Sequence, residues 1–82
     1  VLREHPNWVK QKRREVGARI RGRRLHANLT QEKLAERSTI DRRTLQRIEA
    51  GESDPRYGDL LLIAEALDVP FADLVGCAPA GG

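Results

Sequence analysis

The sequence predicts an all-α domain of five helices, the first of them extended and basic, and three observations carry that prediction. Apolar residues recur at helical spacing, most cleanly as Leu60, Ile63, Ala64 and Leu67 at i, i+3, i+4 and i+7. Residues suited to starting and stopping helices stand at the ends of each such segment. The alternation and β-branched enrichment that mark strands are missing from the chain.

Each element follows in order. Residues 1–7 hold a proline and no periodicity and read as an irregular arm, with Asn7 as the expected N-cap of a first helix from about Trp8 to Ala27. Val9, Val16 and Ile20 give that helix a narrow apolar stripe. Lys10, Lys12, Arg13, Arg14, Arg19, Arg21, Arg23 and Arg24 surround the stripe, and their face either meets phosphates or is simply solvated. The apolar side is too thin for a helix lying on a membrane surface. Asn28 closes this helix, because asparagine tolerates the left-handed conformation that helix ends use.

Thr30 caps a second helix, Gln31 to Arg37, with Glu32 in the first turn where the helix dipole favours an anion, and with Leu34 and Ala35 inward. Gln31 stands where free backbone N–H groups attract a phosphate oxygen. Ser38, Thr39 and Ile40 form a bend, Asp41 caps a third helix, and Gly51 follows that helix as a C-cap. Glu52 to Arg56 is a turn initiated by Asp-Pro. A fourth helix runs from about Tyr57 to Leu67, and Pro70 opens a short fifth, PFADLV, whose Phe71 and Leu74 return to the core. The domain is expected over residues 16–75, with 1–15 as the arm and the start of helix one, and 76–82 as a flexible tail.

Composition narrows the function. The net charge of +3 conceals an asymmetry: residues 1–48 hold 14 of 15 Lys and Arg and 5 of 12 Asp and Glu, a balance of +9, and the remainder is −6. A basic front and acidic back point the front at a polyanion. Cys77 is the single cysteine and makes no internal disulfide, and its spacing from His5 and His26 suits no metal. No signal-peptide pattern or membrane-length apolar run occurs in the sequence, so a cytoplasmic location is expected. No catalytic triad, paired-carboxylate site or phosphate-cradling glycine loop is present, so neither an enzyme nor a bound metal, cofactor or small-molecule ligand is expected.

The third helix carries the chemistry. Arg42, Arg43, Gln46 and Arg47 fall at i, i+1, i+4 and i+5 and share one side, while Leu45 and Ile48 face roughly the other way. Arginine matches guanine edges and phosphates, and glutamine matches adenine edges, so the stripe suits a DNA major groove, although a solvated face has the same pattern.

Residues 16–75 resemble the XRE, or lambda-repressor-like, helix-turn-helix family of bacterial and phage regulators. The resemblance rests on Ile20 and Arg24, on Leu29-Thr30-Gln31 through Leu34-Ala35, and on Ile48-Glu49-Ala50-Gly51, followed by Pro55, Leu60, Ala64-Glu65-Ala66-Leu67, Val69 and Leu74. It implies a lambda-repressor-like fold, sequence-specific binding of double-stranded DNA, and regulation of transcription, with the helix from Asp41 to Ala50 in the major groove. By position, Arg42, Arg43 and Arg47 resemble the family's base readers, and Thr44 and Gln46 lie near backbone or flanking bases. Gln31 resembles the helix-two phosphate anchor, with Arg37, Arg47 and Arg56 as further candidates for phosphates. Arg24 and Glu49 match a structural ion pair. A homodimer on paired half-sites is expected, formed near the fourth and fifth helices or the N-terminal segment. Trp8 either staples helix one to the core or meets a partner.

Three departures from the family pattern bear on the fold. Thr39 sits where glycine is common, so a positive-φ turn is strained there or the bend differs. Ser38 replaces an apolar residue and weakens the inter-helix core. Arg23 replaces a leucine, leaving the position exposed or burying only the stem. The alternative to a DNA binder is a helical protein-interaction module, such as an antitoxin or adaptor, using Leu61, Leu62 and Val75 or the Trp8 arm.

Overall fold

The computed structural model describes residues 5–76. Within them the chain forms α1 (Asn7–His26), α2 (Gln31–Ser38), α3 (Arg42–Ala50), α4 (Tyr57–Leu67) and α5 (Phe71–Val75), with no strand among the described residues. The helix α1 packs on α3 and α5, α2 packs on α3 and α4, and α4 packs on α5. Ile20, Leu34, Leu45, Ile48, Ile63 and Leu74 are fully buried where these elements meet. Truncating any of the leucines or isoleucines at this centre to alanine would cost about 2–5 kcal/mol, a large part of what a domain this size has.

The helices stop by one repeated device. Asn28, Thr39, Gly51 and Asp68 all have φ between 59° and 73°. After each, the next N–H reaches back five residues: Leu29 to Arg24, Ile40 to Ala35, Glu52 to Arg47 and Val69 to Ala64, at 2.9–3.1 Å. This is the Schellman arrangement, in which a left-handed residue satisfies otherwise orphaned carbonyls. Leu29 and Ile40 are buried and Val69 packs against the core, so the same step that ends the helix drops an apolar side chain inward.

Several sequence expectations need correction. Pro6, not Asn7, occupies the N-cap of α1, and Asn7 is its first helical residue. Proline's fixed φ serves the position, and its carbonyl accepts from Val9 and Lys10 N–H at 3.0 and 3.2 Å. Ser38 belongs to α2 rather than to the bend. Its Oγ donates to the Leu34 carbonyl at 2.8 Å, so a fully buried hydroxyl is satisfied by its own helix and stands where an apolar side chain was expected. Pro70 is the N-cap residue of α5 and not part of its first turn. Trp8 is 68% exposed and staples nothing to the core. Arg23, by contrast, takes the first of its two expected positions: it is exposed, and it donates to Asp73 at 2.9 Å, tying α1 to α5 from outside. The expected flexible tail, including Cys77, lies outside the described residues apart from Gly76, as does the arm over residues 1–4.

Two glycines set how closely α1 approaches α3. A Cβ on Gly17 would stand 2.3 Å from the Ile48 carbonyl oxygen and 2.6 Å from that of Glu49, so only a bare backbone lets α1 lie on the last turn of α3. Gly51 meets α1 from the other side: a Cβ there would fall 2.9 Å from the Arg14 Cα.

Candidate nucleic-acid interface

The interface is built from two short helices, each started by a side chain. Thr30 Oγ1 accepts from the Lys33 N–H at 3.0 Å, and Asp41 Oδ2 accepts from the N–H groups of Arg43 and Thr44 at 2.9 and 3.4 Å. These caps satisfy donors at the helix N-termini, and loss of either would cost about 1 kcal/mol. With Leu45, Ile48 and Glu49 buried, α3 turns Arg42, Arg43, Gln46 and Arg47 outward, all exposed. Among the described residues, none of Arg37, Arg42, Arg43, Arg47 and Arg56 lies within ion-pair distance of a carboxylate. Their guanidiniums are open to an external anion.

The exposed residues fall into two groups. Arg42, Arg43 and Gln46 share a concavity with Asp41 at the start of α3. Arg47 lies instead with Thr44 and Arg56 along the α3–α4 turn, a second concavity that also includes Asp54 and Asp59. Gln31 and Arg37 stand near opposite ends of α2, the first half-buried and the second exposed. Sequence spacing puts Arg42, Arg43, Gln46 and Arg47 in one stripe, and the turn after α3 divides them.

Behind this surface is a buried polar clasp. Arg24 donates from Nε and Nη2 to the two carboxylate oxygens of Glu49, at 2.8 and 3.1 Å, and from Nη1 to the Leu29 carbonyl at 2.8 Å. Gln31 Nε2 donates to Glu49 Oε1 at 3.1 Å. The ion pair expected from the family resemblance is therefore formed, and it also holds Gln31, which the sequence did not reveal. The clasp thus fixes the Gln31 side chain at the start of α2 and leaves it little rotamer freedom.

Among the described residues no helix is long and apolar enough to cross a membrane, and no group of His, Cys, Asp and Glu is placed to hold a metal ion. On α1, Gln11 and Lys12 hydrogen-bond the Glu15 carboxyl and hold it below its ordinary range.

Five helices with two short capped ones at a bend, the second exposing arginines, define a helix-turn-helix protein. A family model described as "Helix-turn-helix" matches residues 20–74, well over half the chain. The chain belongs to this XRE-like helix-turn-helix family, and so is a DNA-binding regulator and not an enzyme. Among solved structures it is similar to the restriction-modification controller protein C.AhdI from Aeromonas hydrophila, at 31% identity and a TM-score of 0.76, over 78% of this chain and 97% of that one. Comparison with curated proteins gave no match.

Proposed function

We propose that the protein is a sequence-specific transcriptional regulator that reads the DNA major groove with α3. The observation that carries this reading is the outward presentation of Arg42 and Arg43, neither within ion-pair distance of a carboxylate among the described residues, while the neighbouring Asp41 carboxylate is engaged in capping α3. Arg42 and Arg43 contact base edges together with Arg47, while Gln31, Arg37, Thr44, Gln46 and Arg56 hold phosphates or flanking bases. The grouping of Arg47 with Arg56 supports a position for Arg47 at the edge of the base-reading set, where it also reaches the backbone.

Two copies pair on a two-fold site. Leu61 and Leu62 on α4 are 41% and 40% exposed, and they share a shallow groove with Arg56 and Glu65. Apposed about a two-fold axis, this patch covers its own leucines, and its mixed charge, Arg56 with Asp59 and Glu65, suits the self-complementary contact that two-fold pairing needs. The same patch favours the second reading, a protein-interaction module, and the two roles are compatible in one chain. DNA as partner supports a cytoplasmic location, and the likeness to a bacterial controller protein supports a bacterial origin. The likeness to a restriction-modification controller makes the genes of such a system the first regulatory targets to test.

Selection of bound duplexes from a random pool, followed by sequencing, tests the proposal. The expected result is a preferred sequence in two half-sites roughly one helical turn apart. Recovery of duplexes without any common sequence would overturn sequence-specific reading.

A further inference from the structure

The helix α1 starts at Asn7, thirteen residues ahead of the matched helix-turn-helix span. That is about 20 Å of helix, of which the first two turns, 7–14, precede the buried positions Val16 and Gly17. Between His5 and Arg14 the chain has four formal cations, Lys10, Lys12, Arg13 and Arg14, and no carboxylate. The next acid after Arg14, Glu15, is engaged by Lys12 at 3.4 Å and by Gln11. Lys10, Arg13 and Arg14 stand at i, i+3 and i+4 on one face, where like charges destabilise a helix. No carboxylate on these two turns offsets that repulsion; Lys10 and Arg13 are half-buried and Arg14 is exposed. Arg13 in addition buries its Nε with no hydrogen-bond partner among the described residues.

The fold places this face beside the interface. The backbone at Arg14 rests on Gly51, the residue that ends α3. At the beginning of the extension His5 Nε2 lies 3.6 Å from Asp54 Oδ2 in the α3–α4 turn. The extension thus runs along the turn that also lines the concavity of Arg47 and Arg56. Trp8 projects from its tip, 68% exposed.

We propose that the first two turns of α1 form a second, sequence-independent phosphate-binding surface that grips the duplex backbone flanking the segment α3 reads. The proposal rests on the DNA-binding reading above and extends it to residues outside the helix-turn-helix span. An anionic membrane fits less well, since Trp8 is the one large apolar side chain exposed on these two turns. Discrete phosphates at duplex spacing match a row of separate cations.

The test uses the full chain and duplexes ending at the selected site or continuing about six base pairs beyond it, the reach of a 20 Å helix at 3.4 Å per pair. Trp8 is the single tryptophan, so wild-type fluorescence reports on the extension without mutation. Adding the longer duplex should change Trp8 emission and shield it from acrylamide. In the Lys10→Gln/Arg13→Gln variant, with helicity checked by circular dichroism, base preference should persist. Its loss of affinity between about 50 and 200 mM salt should shrink by about tenfold, as for two phosphate contacts removed, and the advantage of the longer duplex should disappear. Unchanged salt dependence, no effect of duplex length and no shielding of Trp8, with base preference intact, would overturn this inference alone. A Trp8 response to anionic vesicles but not to duplex would overturn it too. Wild-type protein that binds no duplex at all would overturn the underlying DNA-binding reading.

Discussion

Arg24 and Glu49 meet through two hydrogen bonds at 2.8 and 3.1 Å with both side chains at least nine-tenths buried, and they join α1 to the last turn of α3. The remaining guanidinium nitrogen, Nη1, donates to the Leu29 carbonyl and Gln31 donates to the same carboxylate, so one cluster fixes α1, α2 and α3 together. A buried pair contributes little against an apolar substitute, yet breaking it strands a charge. Glu49→Ala is therefore expected to cost about 3–5 kcal/mol in urea unfolding, while the double change Arg24→Met/Glu49→Leu should cost far less. Equal losses for the two would show that packing, and not the stranded guanidinium, sets the cost.

Thr39 holds φ 60° and ψ 27° at the end of α2, a conformation costly for a β-branched residue. The Schellman bond from Ile40 to Ala35 requires that conformation, so the fold keeps the strain. Thr39→Gly should raise stability by about 1 kcal/mol, the relief of strain exceeding the added freedom of the unfolded glycine. A lower thermal midpoint for this variant would contradict the assignment.

Gly17 and Gly22 lie on the same helix and should respond in opposite ways. A Cβ added to Gly22 would meet nothing within 4 Å, so Gly22→Ala should stabilise α1 by about 0.5–1 kcal/mol through helix propensity. Gly17→Ala drives a methyl into the backbone carbonyls of Ile48 and Glu49 and should destabilise by about 1–3 kcal/mol. Denaturant titration of both variants checks the α1–α3 crossing, and a gain at both sites would mean the helices sit further apart.

What was legible in the sequence was mostly local. Thr30 and Asp41 act as the caps their residue types suggest, and the inward positions Leu60, Ile63, Ala64 and Leu67 of α4 are all buried. The left-handed stops at Asn28 and Gly51 follow from residue type as well. Thr39 and Asp68 do the same work without being glycine, because a following apolar residue drawn into the core holds the turn. Contacts between distant segments were less legible. The Arg23–Asp73 pair spans 50 residues, and the Arg14–Gly51 approach depends on where α1 crosses α3. The position of Trp8 was open for the same reason: one apolar residue near a helix start has no periodicity to decide its direction. At the candidate interface, spacing yields the stripe on α3, whereas its division between two concavities comes from the α3–α4 turn.

Whether an exposed arginine of α3 selects a base pair is read out by titrating wild-type protein and Arg43→Ala against the selected site and its single-base-pair variants. Wild-type protein should lose about 1–3 kcal/mol at each position it reads, and Arg43→Ala should bind the parent site more weakly by a similar amount and discriminate no longer at one position. Undiminished affinity and unchanged discrimination at every position would contradict that selection.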